Sequence, residues 1–353
     1  MPFFNGLEDR LRKEGVQTRV FASAPTSTSA ARGDAAEAAS WQENIPSRTL
    51  NVAGRQVTFQ KVPRDFYEAD GVIVGLVGTL PQMYSALLRK NIALRPRLGL
   101  WGHVRSYVGR SSFIDVALEK YVAKRADHVF AYTRAGEALA LQWGVAEGRV
   151  TAVMNSVDTS SLIAALGHYR AQSTVRLAGI EWSRDSPVLS YIGGVDESKR
   201  IRFLTQSLDE IWRIDPSVRV IVAGRGAEES LLAPSISRGQ VVHIGYADDD
   251  VLGKIGAISS AILMPGRIGL VAVHALAMGV PIISTPWPYH APEQEYLVGG
   301  ESLFVAADDA RSFALEALAA LQRTPGRRPW PYPTMTEMVG NYAGGVRKML
   351  GRW

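Results

Sequence analysis

Apolar residues in this chain follow two patterns: short unbroken runs bounded by Gly, Pro or Asn, and stretches where they recur every third or fourth position. The first suits strands buried on both faces and the second amphipathic helices. Gly71–Val74, Leu98–Gly102, His128–Tyr132 and Val150–Val153 read as strands, with helices from about Pro81, over Phe113–Arg125 and up to Trp143. Further on, Val188–Ile192, Val218–Ala223, Val241–Ile244 and Ala261–Met264 alternate with helices over Arg202–Arg213, Ala227–Leu232 and Asp248–Ile255. Such alternation predicts parallel sheets with helices on both faces.

The ends of the chain depart from this rhythm. Phe3–Glu14 predicts an amphipathic helix with Phe3, Phe4, Leu7 and Leu11 on one face, followed by Gly15 and a strand over Thr18–Ala22. Ala24–Ala39 is small, polar and pattern-free, the composition of a mobile loop, and Gly54–Gln60 alternates as a strand does. The turn Gly75–Gly78 could approach a ligand, although tight strand–helix packing explains it as well. His168–Asp185 lacks periodicity and reads as a linker, and a last helix over Met335–Leu350 follows the Pro-rich Pro325–Pro333. The expected organisation is a first domain over 1–170, a linker over 171–186, a second domain over 187–325 and a tail over 326–353.

Ala261–Leu297 carries the most chemistry. Pro265–Gly266 ends a strand, and a helix is expected from Ile268–Gly269 to Gly279, where Pro281 forbids continuation, before a strand over Val280–Thr285. A helix start delivered by a strand end presents free amides, here Ile268, Gly269 and Leu270, and the positive end of a dipole to an anion. Arg267 adds a full charge at that mouth. The alternative is an ordinary strand–helix–strand unit with Arg267 solvated.

Composition narrows the class. With 353 residues, 46% hydrophobic, the chain has room for two cores. It contains no cysteine, which excludes disulfides and thiolate metal sites and suits a reducing cytoplasm. Its longest apolar stretch, Ile268–Ile283, is too short to span a bilayer, and the opening MPFFNGLEDRLRKEG lacks the layout of a signal peptide. A net charge of +5 suits a phosphorylated substrate or an anionic membrane. Arg89, Lys90, Arg95, Arg97, Arg105 and Arg110 cluster with no acid before Asp115. A solvated face is the favoured reading, and a peripheral contact with an anionic membrane or acceptor the other.

Three segments together resemble one family. PGRIGLVAVHALAMGVPIIST is similar to the C-terminal signature of family 4 glycosyltransferases, keeping Gly269–Leu270, Ala275–Leu276, Gly279–Val280–Pro281 and Thr285. Gly266 and His274 stand where that family has glutamates. Asn155-Ser-Val-Asp158 resembles the family's Asn-Gly-Val-Asp, and Tyr191-Ile-Gly-Gly-Val-Asp-Glu-Ser-Lys199-Arg200 its Gly-Arg…Lys-Gly loop, with Gly194 in place of the arginine.

The resemblance implies an α/β, GT-B fold, two Rossmann-like domains with parallel sheets facing across a cleft. Relatives place a strand before the first helix; the expectation is either that this strand is missing here or that the true start lies upstream. The implied activity is retaining, metal-independent transfer from a nucleotide-diphosphate sugar by a front-face mechanism, a UDP-sugar being favoured over a GDP-sugar, with no cofactor. The implied acceptor is a saccharide, a lipid-linked or a small molecule, and no nucleic acid is involved. By the same resemblance, Lys199 binds the donor diphosphate, with Gly194, Arg200, Arg267 and the Ile268–Leu270 amides around it. His274, Tyr289, His290 and Glu293 lie at the nucleotide, and His103 faces the donor sugar as the catalytic candidate. Each has a plainer reading: Lys199 and Arg200 opening a helix, His103 structural, His274 a buried spacer, Tyr289 and His290 packing. A non-catalytic homologue, acting as a partner subunit or nucleotide-sugar binder, is the main alternative function. A dinucleotide dehydrogenase is disfavoured because no Gly-x-Gly-x-x-Gly follows a strand.

Overall fold

His128–Ala131 and Val188–Ile192 are buried at every position, as strands covered on both faces must be, and each lies inside a parallel sheet. The computed structural model describes residues 2–23, 42–52, 55–104, 113–183, 186–323 and 328–351. The expected mobile loop Ala24–Ala39, and Arg105 and Arg110, lie outside them. The chain divides into two units: one holds the described residues up to Ser156 and those from Pro333 onward, the other Val157–Tyr332.

The first unit opens with α1 (Pro2–Lys13), whose Phe3, Leu7 and Leu11 are buried as the periodicity predicts. Next come β1 (Val20–Ala22), β2 (Gln42–Asn44), β3 (Ser47–Val52), β4 (Arg55–Gln60) and α2 (Arg64–Glu68). A parallel sheet then runs β5 (Gly71–Gly75), β6 (Arg97–Gly102), β7 (His128–Ala131), β8 (Val150–Ala152), connected through α3 (Pro81–Ala93), α4 (Phe113–Ala123) and α5 (Arg134–Gln142). Both Thr18–Ala22 and Gly71–Val74 would lose a partner if a first strand were missing. In the structure β1 pairs in parallel with β2, and β5 is an edge strand with β6 as its one neighbour among the described residues.

The second unit contains α6 (Ser160–Arg170), β9 (Thr174–Leu177) and β10 (Ile180–Ser183), then β11 (Val188–Ile192), α7 (Ile201–Ile214), β12 (Arg219–Ala223), α8 (Ala233–Ser237), β13 (Val241–Gly245), α9 (Asp249–Ile258), β14 (Ile262–Met264), α10 (Val271–Met278), β15 (Ile282–Ser284), β16 (Leu303–Val305) and α11 (Ala310–Gln322). Its six-stranded parallel sheet has the order β13-β12-β11-β14-β15-β16. The stretch expected as a linker, 171–186, is instead largely the antiparallel hairpin β9–β10, fastened by burial of Val175, Leu177 and Trp182 in the unit's core. The chain crosses between units at Ser156–Val157. Among the described residues no helix is long and apolar enough to cross a membrane.

The last helix, α12 (Met335–Leu350), belongs to the first unit. Tyr342, Val346 and Met349 share a core with Phe3, Leu11, Phe130 and Val153. The Tyr342 ring stacks on Phe130 at 4.5 Å and meets Phe3 edge-on at 5.2 Å. A β-carbon at Gly345 would come within 2.5 Å of the Phe130 ring, so glycine there sets how closely α12 approaches β7.

Candidate functional site

In the second sheet the chain leaves β11 toward β12 and β13, then returns to β14 on β11's other side. Loops after β11 and β14 therefore open side by side at the carboxyl ends of the strands, the place where such sheets bind ligands. The first loop is shaped by Asp196, which accepts from the Ser198 amide at 3.0 Å and the Ser198 hydroxyl at 2.5 Å. That turn delivers Lys199 and Arg200 to the start of α7.

The second loop locks onto the first. A β-carbon at Gly266 would lie 2.4 Å from the Lys199 carbonyl carbon and 2.6 Å from its Cα, so the backbones meet where no side chain fits. The Arg267 amide donates to the Ser198 carbonyl at 3.0 Å, and Lys199 Nζ donates to the Arg267 carbonyl. Lys199, Arg200, Arg267 and Ile268–Leu270 thus lie on two interlocked loops. The helix, however, starts at Val271 rather than near Ile268–Gly269. Its expected first turn is pulled aside by the Arg267 bond and by the Ile268 amide, which donates to His290 Nδ1 at 3.1 Å. The Gly269 and Leu270 amides have no protein acceptor among the described residues.

Arg200 is already engaged. Its Nη1 donates to Asp308 Oδ1 at 2.6 Å and to Thr285 Oγ1 at 2.9 Å, and the guanidinium lies over the rings of Phe203 at 4.3 Å and Trp287 at 4.7 Å. It positions the loops as much as it supplies charge. The Gly194 carbonyl accepts from the Tyr191 hydroxyl at 2.5 Å. Beside that turn the exposed Arg225 is anchored through its own carbonyl, which accepts from the Val195 amide at 2.9 Å.

The nucleotide candidates divide. Both ring nitrogens of His290 are engaged, Nδ1 accepting from Ile268 and Nε2 donating to the Thr285 carbonyl at 3.2 Å. Burial lowers its pKa, so His290 is a neutral spacer that fixes the loop. His274, half-buried in α10, is pushed down to about 4 by burial, and its ring has no hydrogen-bond partner among the described residues. A neutral imidazole in that state can donate to or accept from a hydroxyl. Tyr289 sets its ring edge-on to Trp287 at 5.3 Å. Glu293 is 3% exposed in the turn Pro292–Tyr296. Burial, then the Glu293 and Glu295 charges, raise the pKa of the Tyr296 hydroxyl. His103 follows the carboxyl end of β6 in the first unit, its ring 4.2 Å from that of Tyr132.

The contacts of Asp308 and of the Trp287 ring with Arg200 were not foreseen, because they join loops brought together only by the sheet order.

Residues 186–323 match the model of the family described as glycosyl transferases group 1. Among solved structures, Anabaena Alr3699/HepE in complex with UDP is 16% identical, with 81% of this chain and 78% of that chain covered and a TM-score of 0.55. The UDP-GlcNAc 2-epimerase of Methanocaldococcus jannaschii is 12% identical over 96% and 94%, with a TM-score of 0.58. S. aureus MnaA, in a co-structure with UDP, is 14% identical over 81% and 77%, with a TM-score of 0.54. A search of curated protein sequences gives no match. The second unit thus matches the glycosyl transferases group 1 model, and the two Rossmann-like units with this sheet order give the chain a GT-B fold.

Proposed function

We propose that this protein is a glycosyltransferase that moves a sugar from a UDP-sugar to a saccharide, lipid-linked or small-molecule acceptor, with retention and without a metal. The observation that carries the reading is the interlock at Gly266. It holds the Lys199 ammonium on the Arg267 carbonyl at the switch point of the sheet, in the same loop as the Gly269 and Leu270 amides, which have no acceptor among the described residues. A departing diphosphate needs two charges stabilised, and a fixed cation with a helix start supplies that field. His274, Tyr289 and Glu293 then serve the ribose and base, and His103 the donor sugar. UDP is favoured because HepE and MnaA bind it on the same fold. The expected setting is the cytoplasm.

Titration calorimetry with UDP tests the site: Lys199→Ala should weaken binding by about 1.5–3 kcal/mol, the range for a charged hydrogen bond. Unchanged affinity in a folded variant removes Lys199 from the diphosphate. A second reading, a nucleotide-sugar binder without catalysis, is favoured by the Gly266 backbone contact, which leaves no room for the family's glutamate. UDP-sugar turnover decides between them. Slow hydrolysis that His103→Ala lowers without changing UDP affinity supports the transferase, and tight binding with no turnover supports the binder.

A further inference from the structure

Helix α3 ends in a way that the stability of the isolated protein does not explain. Leu88 and Ile92, one helical turn apart, are 60% and 75% exposed, and Leu94, which caps the helix, is 83% exposed. Leu94 also adopts φ 56°, the left-handed conformation that glycine or asparagine takes at lower cost. A leucine there is strained and gains nothing from packing.

The same end of the first unit is cationic. Residues 81–97 hold Arg89, Lys90, Arg95 and Arg97 and no acid. Lys90 Nζ donates to the Arg125 carbonyl at 2.6 Å and pairs with Asp127 at 3.0 Å, which fastens the end of α3 to the end of α4. There Tyr121 is 50% exposed, with the Arg125 guanidinium 3.7 Å above its ring. The carboxylates that meet these cations are Asp127, paired with Arg97 at 3.1 Å, and Asp70, paired with Arg95 at 3.3 Å. Beyond Arg97, a groove of about 310 Å³ is lined by two more cations, Arg149 and Lys348.

We propose that this end of the first unit docks on an anionic lipid surface. Leu88, Ile92 and Leu94 enter the boundary between headgroups and acyl chains, Tyr121 lies at headgroup level, and Arg89, Arg95 and Arg97 meet lipid phosphates. Apolar residues rimmed by cations match that surface in both chemistry and charge. A second copy matches it poorly, because two-fold pairing through this patch sets the same cations against each other. The patch lies where β6 begins, whereas His103 follows the end of that strand, so docking leaves the carboxyl ends open. It involves none of the nucleotide loops and is independent of the transferase reading.

Flotation of the full chain with phosphatidylcholine vesicles, with and without phosphatidylglycerol, tests the proposal. Binding is expected only with the anionic lipid and should weaken as salt rises. The variant Leu88→Ser/Ile92→Ser/Leu94→Asn should bind at least about tenfold more weakly, with Tm unchanged or higher because asparagine relieves the strain at position 94. Arg89→Gln/Arg95→Gln should flatten the salt dependence. No binding at low ionic strength overturns the proposal, as does undiminished binding by the apolar variant. A wild-type dimer that the apolar variant abolishes in sedimentation velocity also overturns it, since a second copy then covers the patch. UDP affinity measured in the same variants should not change. Its absence from every form would end the transferase reading and leave this one standing.

Discussion

Gly266 stands where the resembled family has a glutamate, and its departure is steric. The backbone of Lys199 fills the space that a β-carbon would take, at 2.4–2.7 Å from three of its atoms. Gly266→Ala must push the loops after β11 and β14 apart. It should lower stability by about 1–3 kcal/mol, the usual cost of overpacking, and weaken UDP binding with it. Gly266→Glu should do worse, although it restores the family residue. A thermal melt of the alanine variant superimposable on wild type would show that the two loops are not locked. Lys199, Arg267 and Ile268–Leu270 were legible from sequence because each sits in a short motif at a strand end. Asp308 was not, since its bond to Arg200 joins loops 108 residues apart. For His290 the sequence offered a nucleotide contact or packing, and the fold supplies what the sequence could not, the two partners, Ile268 and Thr285, that take up its ring nitrogens.

Between β7, β8 and α12 lies a buried imidazole with consequences for acid stability. His128 is fully buried, its Nε2 is 2.9 Å from Thr151 Oγ1, and its Nδ1 has no partner among the described residues. Burial, with the Lys348 charge adding, pushes its pKa down to about 4. Unfolded histidine titrates near 6.5, so between these values the unfolded chain binds a proton that the native one does not, and stability falls as pH drops. The loss should reach about 3 kcal/mol near pH 4 and then level off. His128→Gln keeps a partner for Thr151 and should flatten that part of a urea-midpoint curve against pH. His274, also near 4, acts in the same window from α10. Exchange protection of the α12 amides therefore isolates the His128 contribution, and equal acid sensitivity there in both proteins would contradict it. Long periodic elements such as α1, α7 and α12 were plain in the sequence. The β9–β10 hairpin was not, because strands of four residues are too short to show a period beside the charges of Arg176 and Glu181.

At the scale of the whole molecule, two blocks of strand–helix alternation announced two Rossmann-like units. The boundary between them was hidden, because α6 and the hairpin look like neither sheet yet pack in the second core. The first unit is closed by α12, so a chain ending at Tyr332 should expose Phe3, Leu11 and Phe130. Limited proteolysis should then degrade residues up to Ser156 while Val157–Tyr332 resists and still binds UDP. Persistence of both units would show that α12 is dispensable to the first core. The same closure bears on how the protein is made. Val157–Tyr332 is contiguous and can fold while it emerges from the ribosome, whereas the unit translated first waits for the residues translated after it. Throughout elongation the α1 face and Phe130 stay uncovered, so the N-terminal half is the part that needs shielding by chaperones during synthesis.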